Sequence, residues 1–243
     1  MTEAAPFPVL LHQDHDLVAV AKPPGEPVIP ARGEPVSACL QKRLEHALGR
    51  RLFVVHRIDR DASGVVVFAL NPDAHRAASL AFEHRQVTKT YVAFVAGSLD
   101  PSHGRIETPL HGARKGKTRP ARPGEPGAQP ATTEYATRRR WSLGEATLSL
   151  VEAHPVTGRH HQIRVHLRSA GAPILFDPLY SRGLLPEALD AAPCDRLALH
   201  ARRIDLPAPR GGGRVVVEAP LAPDLAALAD WLDANGQGHA IGA

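Results

Sequence analysis

The chain has 243 residues, 43% hydrophobic and 22% charged, a balance that excludes collagen, coiled coil and disorder over most of its length. Its longest apolar run, Val65 to Leu70, is far short of the ~20 residues of a membrane span, and two cysteines, Cys39 and Cys194, cannot frame a disulfide-held fold. The net charge is +4, but His111 to Arg140 alone holds eight basic and two acidic residues, leaving the remainder at −2.

In chain order, Met1-Thr-Glu-Ala-Ala-Pro shows no secretory signal, so a cytoplasmic protein without a membrane partner is expected. Asp16 to Lys22 alternates weakly and stops at Pro23-Pro24-Gly25, which predicts a strand and a turn. Val36 to Gly49 carries Leu40, Leu44 and Leu48 at helical spacing, with Ser37 as the candidate N-cap. Gly64 to Leu70 is apolar on both faces, as a central strand would be. Asn71-Pro72 offers a cap and a first-turn proline for a helix to about Arg85. Lys89 to Val95 reads as a strand with Tyr91, Ala93 and Val95 on one face.

From Pro101 to Thr133 the periodicity dissolves. The proline- and glycine-rich arm at about 111–131 is expected to be a mobile functional segment or partly disordered. Its Lys and Arg suit a polyanion as well as they suit a solvated loop. Strand character returns at Ala146 to Glu152, and a helix is expected from about His160 to Ser169. Leu197 to Leu206 and Arg214 to Glu218 read as strands, and Pro223 opens a last helix with Leu225, Leu228 and Leu232 on one face. The expected architecture is α/β (α+β): one domain over residues 1–243 around a large mixed, mainly antiparallel sheet with flanking helices.

Two familiar chemistries are excluded. Gly112-Ala-Arg-Lys-Gly-Lys-Thr118 has one residue too few between its glycines for a phosphate-binding loop, and no apolar strand leads into it. Among fourteen histidines the densest group, His154, His160, His161 and His166, lacks the i, i+4 spacing of helical metal ligands, so no metal is expected. Two segments carry more information. Val54 to Gly64 places six polar or charged residues at the mouth of a buried strand, where sites tend to form. Ordinary turn residues and a local Asp59–Arg salt bridge would account for it equally well. In Thr157 to Arg168, helical spacing gives Ile163 and Leu167 one face and His161, Arg164 and Arg168 another. A basic solvated helix is the plain alternative.

Taken together, these segments resemble the RluA-type RNA pseudouridine synthases, in order and from about His12 to Pro209. The matching stretches are Asp14 to Gly25, His56-Arg-Ile-Asp-Arg-Asp-Ala-Ser-Gly64, Lys89-Thr-Tyr91, Thr157 to Leu167 with Gly171-Ala-Pro-Ile174 and Asp177-Pro-Leu-Tyr180, and Leu199-His-Ala201. The sequence departs from that pattern at Ile58, where leucine is usual, at His160, where threonine is usual, and at Phe176, where glycine is usual. Because the first matching strand starts within twenty residues, a separate amino-terminal RNA-binding domain is not expected.

The resemblance implies the pseudouridine synthase fold and a redox-neutral isomerisation of uridine in ribosomal or transfer RNA, with no cofactor. By that resemblance Asp59 is the catalytic carboxylate, Arg164 its cationic partner and Tyr91 the ring that stacks on uracil. Arg57 fills the gap left by the flipped nucleotide, Ile163 and Leu167 wall the base, and Arg60 and Gln162 support the site or contact the backbone. Arg114, Lys115, Lys117 and Arg119 of the arm would track RNA phosphates. DNA is not expected as a partner, and nothing demands more than a monomer. A non-catalytic RNA-binding or ribosome-assembly factor on the same fold is the alternative.

Overall fold

The computed structural model describes residues 8–31, 33, 35–113 and 116–241. In chain order the strands and helices are β1 (Val9–Gln13), β2 (Leu17–Lys22), α1 (Leu40–Leu48), β3 (Phe53–Val54), β4 (Ser63–Ala69), α2 (Pro72–Glu83) and β5 (Thr88–Ala96). There follow β6 (His103–Ile106), β7 (Leu110–Gly112), β8 (Thr118–Pro120), β9 (Thr133–Leu143), β10 (Ala146–Pro155) and α3 (Gln162–Ser169). The chain closes with β11 (Leu199–Pro207), β12 (Arg214–Glu218), α4 (Pro223–Asn235) and β13 (Gln237–Ala240). Eleven of these strands hydrogen-bond in one sheet, whose main path is β1-β2-β4-β11-β5-β10-β9-β13, and β7 and β8 pair separately.

The chain groups into two compact units, residues 1–88 with 201–220, and residues 89–200 with 221–243. The first unit is built on β4, all of whose side chains are buried. Antiparallel pairing sets Leu17 of β2 opposite Ala69 and Lys22 opposite Gly64. Alternate residues of these strands, Leu17, Ala19, Val65, Val67 and Ala69, join Ile204 and Leu206 of β11 in one core, covered by Ala74, Ala78 and Ala81 of α2. Small residues along that stripe let the helix lie close to the sheet. α2 starts where the sequence indicates: Asn71 Oδ1 accepts the Ala74 N–H at 2.8 Å and Pro72 opens the first turn.

In the second unit β10 lies antiparallel between β5 and β9, with Ala153 opposite both Tyr91 and Tyr135. β13 and β6 add to β9. Trp141 of β9 is almost fully buried, and its Nε1–H donates to Asp233 of α4 at 2.7 Å, which ties that helix to the sheet. β7 and β8 form a small hairpin beside α3, and Leu110, Ala131, Val165 and Tyr180 make the core between them.

Several expectations need correction. Ser37 does not cap α1: Val36–Ala38 is a 3₁₀ turn and the helix starts at Leu40 without a side-chain cap. Pro27 and Val28 carbonyls take the Leu40 and Gln41 N–H groups at 2.9 and 3.1 Å, so distant loop backbone does the work of a capping side chain. α3 starts at Gln162, two residues later than expected, because His161 adopts a left-handed φ of 53°. The stretch from Pro101 to Thr133, where periodicity dissolves, contains the strands β6, β7 and β8, and Thr118 within it is buried. β9 is hidden in the basic tract because Arg138, Arg139 and Arg140 interrupt its alternation.

Among the described glycines, Gly64 is the one that lies tightest against backbone. Its φ is +114°, and an added Cβ would sit 2.2 Å from the Ala201 carbonyl oxygen. Neither the backbone conformation nor the space admits a side chain. Gly64→Ala is therefore expected to destabilise the protein by about 3 kcal/mol or more, whereas Gly158→Ala, which meets nothing within 4 Å, should melt close to the wild type. Thermal unfolding of the two variants side by side checks this.

Candidate active site

The Asp59 loop lies in the first unit, between β3 and β4. Ile58 is buried, Asp59 is half-buried, and Arg57 and Arg60 are exposed. The loop is fixed on both sides. His56 accepts the Val67 N–H at Nε2 (3.0 Å) and stacks on Phe82 at 5.2 Å. Ala62 N–H closes a turn onto the Asp59 carbonyl at 3.3 Å. Behind it stands Lys22, 1% exposed, whose Nζ donates to the carbonyls of Pro23, Glu26 and Arg60 at 2.6, 2.8 and 2.7 Å. A buried ammonium has to be answered by acceptors, and here the acceptors are the backbone of the Pro23-Pro24-Gly25 turn and of the residue after Asp59. The structure thus gives Lys22 a positioning role that the sequence motif does not specify.

The remaining described candidates lie in the second unit. Tyr91 is partly exposed on β5. Lys89, two residues before it and so on the same strand face, has its amine lowered by burial to about 8. Ile163 and Leu167 are buried on α3, at 6% and 0% exposure. Gln162 is spent inside the protein: its oxygen accepts from Thr157 Oγ1 and Arg159 N–H, and its nitrogen donates to Thr132 O and Thr133 Oγ1, all within 2.6–3.0 Å.

Arg164 and Asp177 form a bidentate pair, Nε–Oδ2 2.7 Å and Nη2–Oδ1 2.8 Å, with side chains 2% and 1% exposed. Asp177 Oδ1 also accepts the Leu179 and Tyr180 N–H groups at 2.9 and 3.1 Å. Tyr180 carries the arrangement onward. Its ring lies 5.0 Å from the Arg164 guanidinium, and its hydroxyl accepts the Thr118 N–H and meets His161 Nδ1, both at 2.8 Å. Phe176, just before Asp177, holds a left-handed φ of 56°. The conformation that glycine would give freely is therefore retained with a phenylalanine, at a cost of about 1–2 kcal/mol. The sequence marks Asp177 and Tyr180 as part of a motif but gives them no role, because a pair thirteen residues apart leaves no local signal.

Of the arm, Arg114 and Lys115 lie outside the described residues. Lys117 is exposed. Arg119 is engaged by Glu125 through both nitrogens of its fork, and this pairing holds the Glu125 carboxyl down at about 2. Among the described residues no three His, Cys, Asp or Glu side chains gather to hold a metal, and no helix is long and apolar enough to cross a membrane.

His166, fully buried on α3, donates from Nε2 to Thr108 O at 2.9 Å, which leaves Nδ1 to accept from Thr133 Oγ1 at 2.9 Å. Burial lowers its pKa from 6.5. Unfolded imidazole takes up a proton near that value and the buried one only at lower pH, so this contribution is complete above pH 6.5 and lost as pH falls below it. Unfolding free energy is expected to fall between pH 6.5 and 5 by at most about 1.4 kcal/mol per pH unit from this residue. Denaturant titrations of His166→Gln should show that part of the slope removed.

Known proteins are similar to this chain in sequence and in fold. A family model described as RNA pseudouridylate synthase matches residues 16–169. A ribosomal large subunit pseudouridine synthase D of Nitrosomonas europaea is 34% identical over 93% of this chain, which spans 65% of that relative's length. A dual-specificity RNA pseudouridine synthase RluA of Salmonella typhi is 35% identical over 88% of this chain and 94% of its own. The solved structure of human RNA pseudouridylate synthase domain containing 4 superposes with a TM-score of 0.73 at 29% identity, covering 93% of each chain.

Proposed function

The chain belongs to the RNA pseudouridylate synthase family, isomerases that convert uridine to pseudouridine in RNA, and from that premise we propose that it acts on structured ribosomal or transfer RNA with Asp59 as its catalytic carboxylate. The observation that carries the proposal is the setting of Asp59: a half-buried carboxylate on a loop pinned by Lys22 on one side and His56 on the other. Preorganisation of this kind lets a carboxylate meet a reacting sugar or base without first reorganising the loop.

Isomerisation breaks the bond from the ribose to uracil nitrogen 1, turns the base, and joins the ribose to carbon 5, whose proton leaves. The balance needs a group that can act as nucleophile or base, a surface to hold the base as it turns, and no redox partner. In this reading Asp59 supplies the first. Tyr91 supplies the second by stacking its ring on the base. Arg164 is the cation of the site, with Asp177 and Tyr180 fixing its guanidinium. Arg57, exposed beside Asp59, fills the place of the flipped nucleotide. Ile163 and Leu167 wall the base. Arg60 serves through its carbonyl, and Gln162 by holding the start of α3 to Thr132 and Thr133.

The deciding experiment uses unmodified ribosomal and transfer RNA carrying tritium at uracil carbon 5. Wild-type protein should release tritium to water, and Asp59→Asn should reduce release by at least about a thousandfold while still binding RNA. Tight binding without release by the wild type would instead indicate an RNA-binding or assembly factor.

The arm gives a second expectation. Neutralising Arg114, Lys115, Lys117, Arg119 and Arg122 together should flatten the dependence of log affinity on log salt by about 0.7 for each phosphate that is no longer neutralised. Binding isotherms over roughly 50 to 200 mM salt check it. An unchanged slope would make the arm a solvated surface.

A further inference from the structure

The second unit contains a cleft that no residue assigned above to catalysis enters. It opens between the β7–β8 hairpin and the residues leading into α3, with a volume of about 320 Å³. This is the lower end of the size range for small-molecule sites, suited to one nucleotide and too small for a helix.

The lining sorts by chemistry. Lys117 and Arg159 bring two cations, and no carboxylate lines the cleft among the described residues. Arg159 Nε is tied to the Pro130 carbonyl at 3.1 Å, which fixes the position of its guanidinium. Gln129 brings an amide, donor and acceptor in one plane. His160 brings a ring. It is exposed, lies against His161 with centroids 3.7 Å apart, and its Nδ1 is held to Thr118 Oγ1 at 3.1 Å. His161 in turn packs edge-on to Tyr180 at 5.5 Å, and Tyr180 lies under Arg164. The platform is thus backed by a column of rings that ends on the buried Arg164–Asp177 pair. Gly112 and Gly116 edge the cleft, and a Cβ on either would meet no described atom within 4 Å.

An anion site would need the cations alone. A supported aromatic face, an amide and two cations around one cleft match the parts of a nucleotide: base face, base edge and phosphate. Building on the reading that this chain acts on RNA, we propose that the cleft takes one unpaired nucleotide of the substrate RNA other than the reacting uridine, its base stacked on His160 and its phosphate between Arg159 and Lys117.

Two measurements test it. In the first, the His160 and His161 imidazole resonances are followed by NMR while adenosine 5′-monophosphate or inorganic phosphate is added. Saturable shifts at His160 are expected, with the nucleotide binding at least about tenfold more tightly than phosphate because of stacking. Equal affinity for phosphate, or no response at His160 to the nucleotide, overturns the proposal. In the second, the unmodified RNA that releases tritium, or else binds, is titrated onto the Asp59→Asn protein. Adding His160→Ala should weaken binding about tenfold, and His160→Phe should recover most of it. No weakening with alanine, or a weakening that phenylalanine does not recover, overturns it. Tritium release by the wild type reports separately on the isomerase reading. Release with either measurement failing removes the subsite alone; no release with both succeeding removes the isomerase and leaves a nucleotide-binding cleft.

Discussion

A cation taken out of water must find acceptors for its donors, or the cost of stripping its hydration goes unanswered. Lys22 in the first unit and Arg164 in the second are both buried in this way, at 1% and 2% exposure. Lys22 resolves the constraint with three backbone carbonyls, and in doing so fixes the carbonyl of the residue that follows Asp59. Arg164 resolves it with the two oxygens of Asp177, whose Oδ1 also gathers the Leu179 and Tyr180 N–H groups. Each buried charge organises the loop that answers it. Removing one partner of such a pair typically costs about 3–5 kcal/mol, because the other charge stays buried.

The same constraint accounts for the backbone around Asp177. Phe176 holds a left-handed φ of 56° and His161 one of 53°. Both lie beside members of the Arg164, Asp177 and Tyr180 cluster, where local strain is offset by charge-assisted hydrogen bonds. The cluster reaches the arm through the Tyr180 hydroxyl, which accepts the Thr118 N–H. A segment rich in proline and glycine is in this way tied to the cluster, and the Arg119–Glu125 pair ties it to itself.

Where signals are local, the sequence is a good guide to this fold. β4 announces itself by a continuous β-branched run, and α2 by Asn71-Pro72. Where partners are distant, it is not. The first N–H groups of α1 go to Pro27 and Val28, which no capping rule would find, and β9 is concealed because Arg138 to Arg140 break its alternation. Two of the three divisions between the units, at Thr88 and at His200, fall inside strands β5 and β11 and not at linkers, so composition carries no trace of them. For the candidate site, motif order marks the segments, but the roles of Lys22, Asp177 and Tyr180 rest on tertiary partners that only the fold supplies.

The first unit is discontinuous: residues 201–220 return to it after all of 89–200 has been made. β4, buried on every side chain, has β3 paired only at Phe68 and Ala69 and finds its neighbour β11 only then. During synthesis at roughly 5–20 residues per second, that edge waits on the order of ten seconds for its strand. An apolar strand with an unpaired edge is a template for association with other chains. The nascent protein therefore passes through a stage in which fully buried β4 is present and the strand that completes its edge is not yet made, and chaperone occupancy would be concentrated between the emergence of β4 and that of β11.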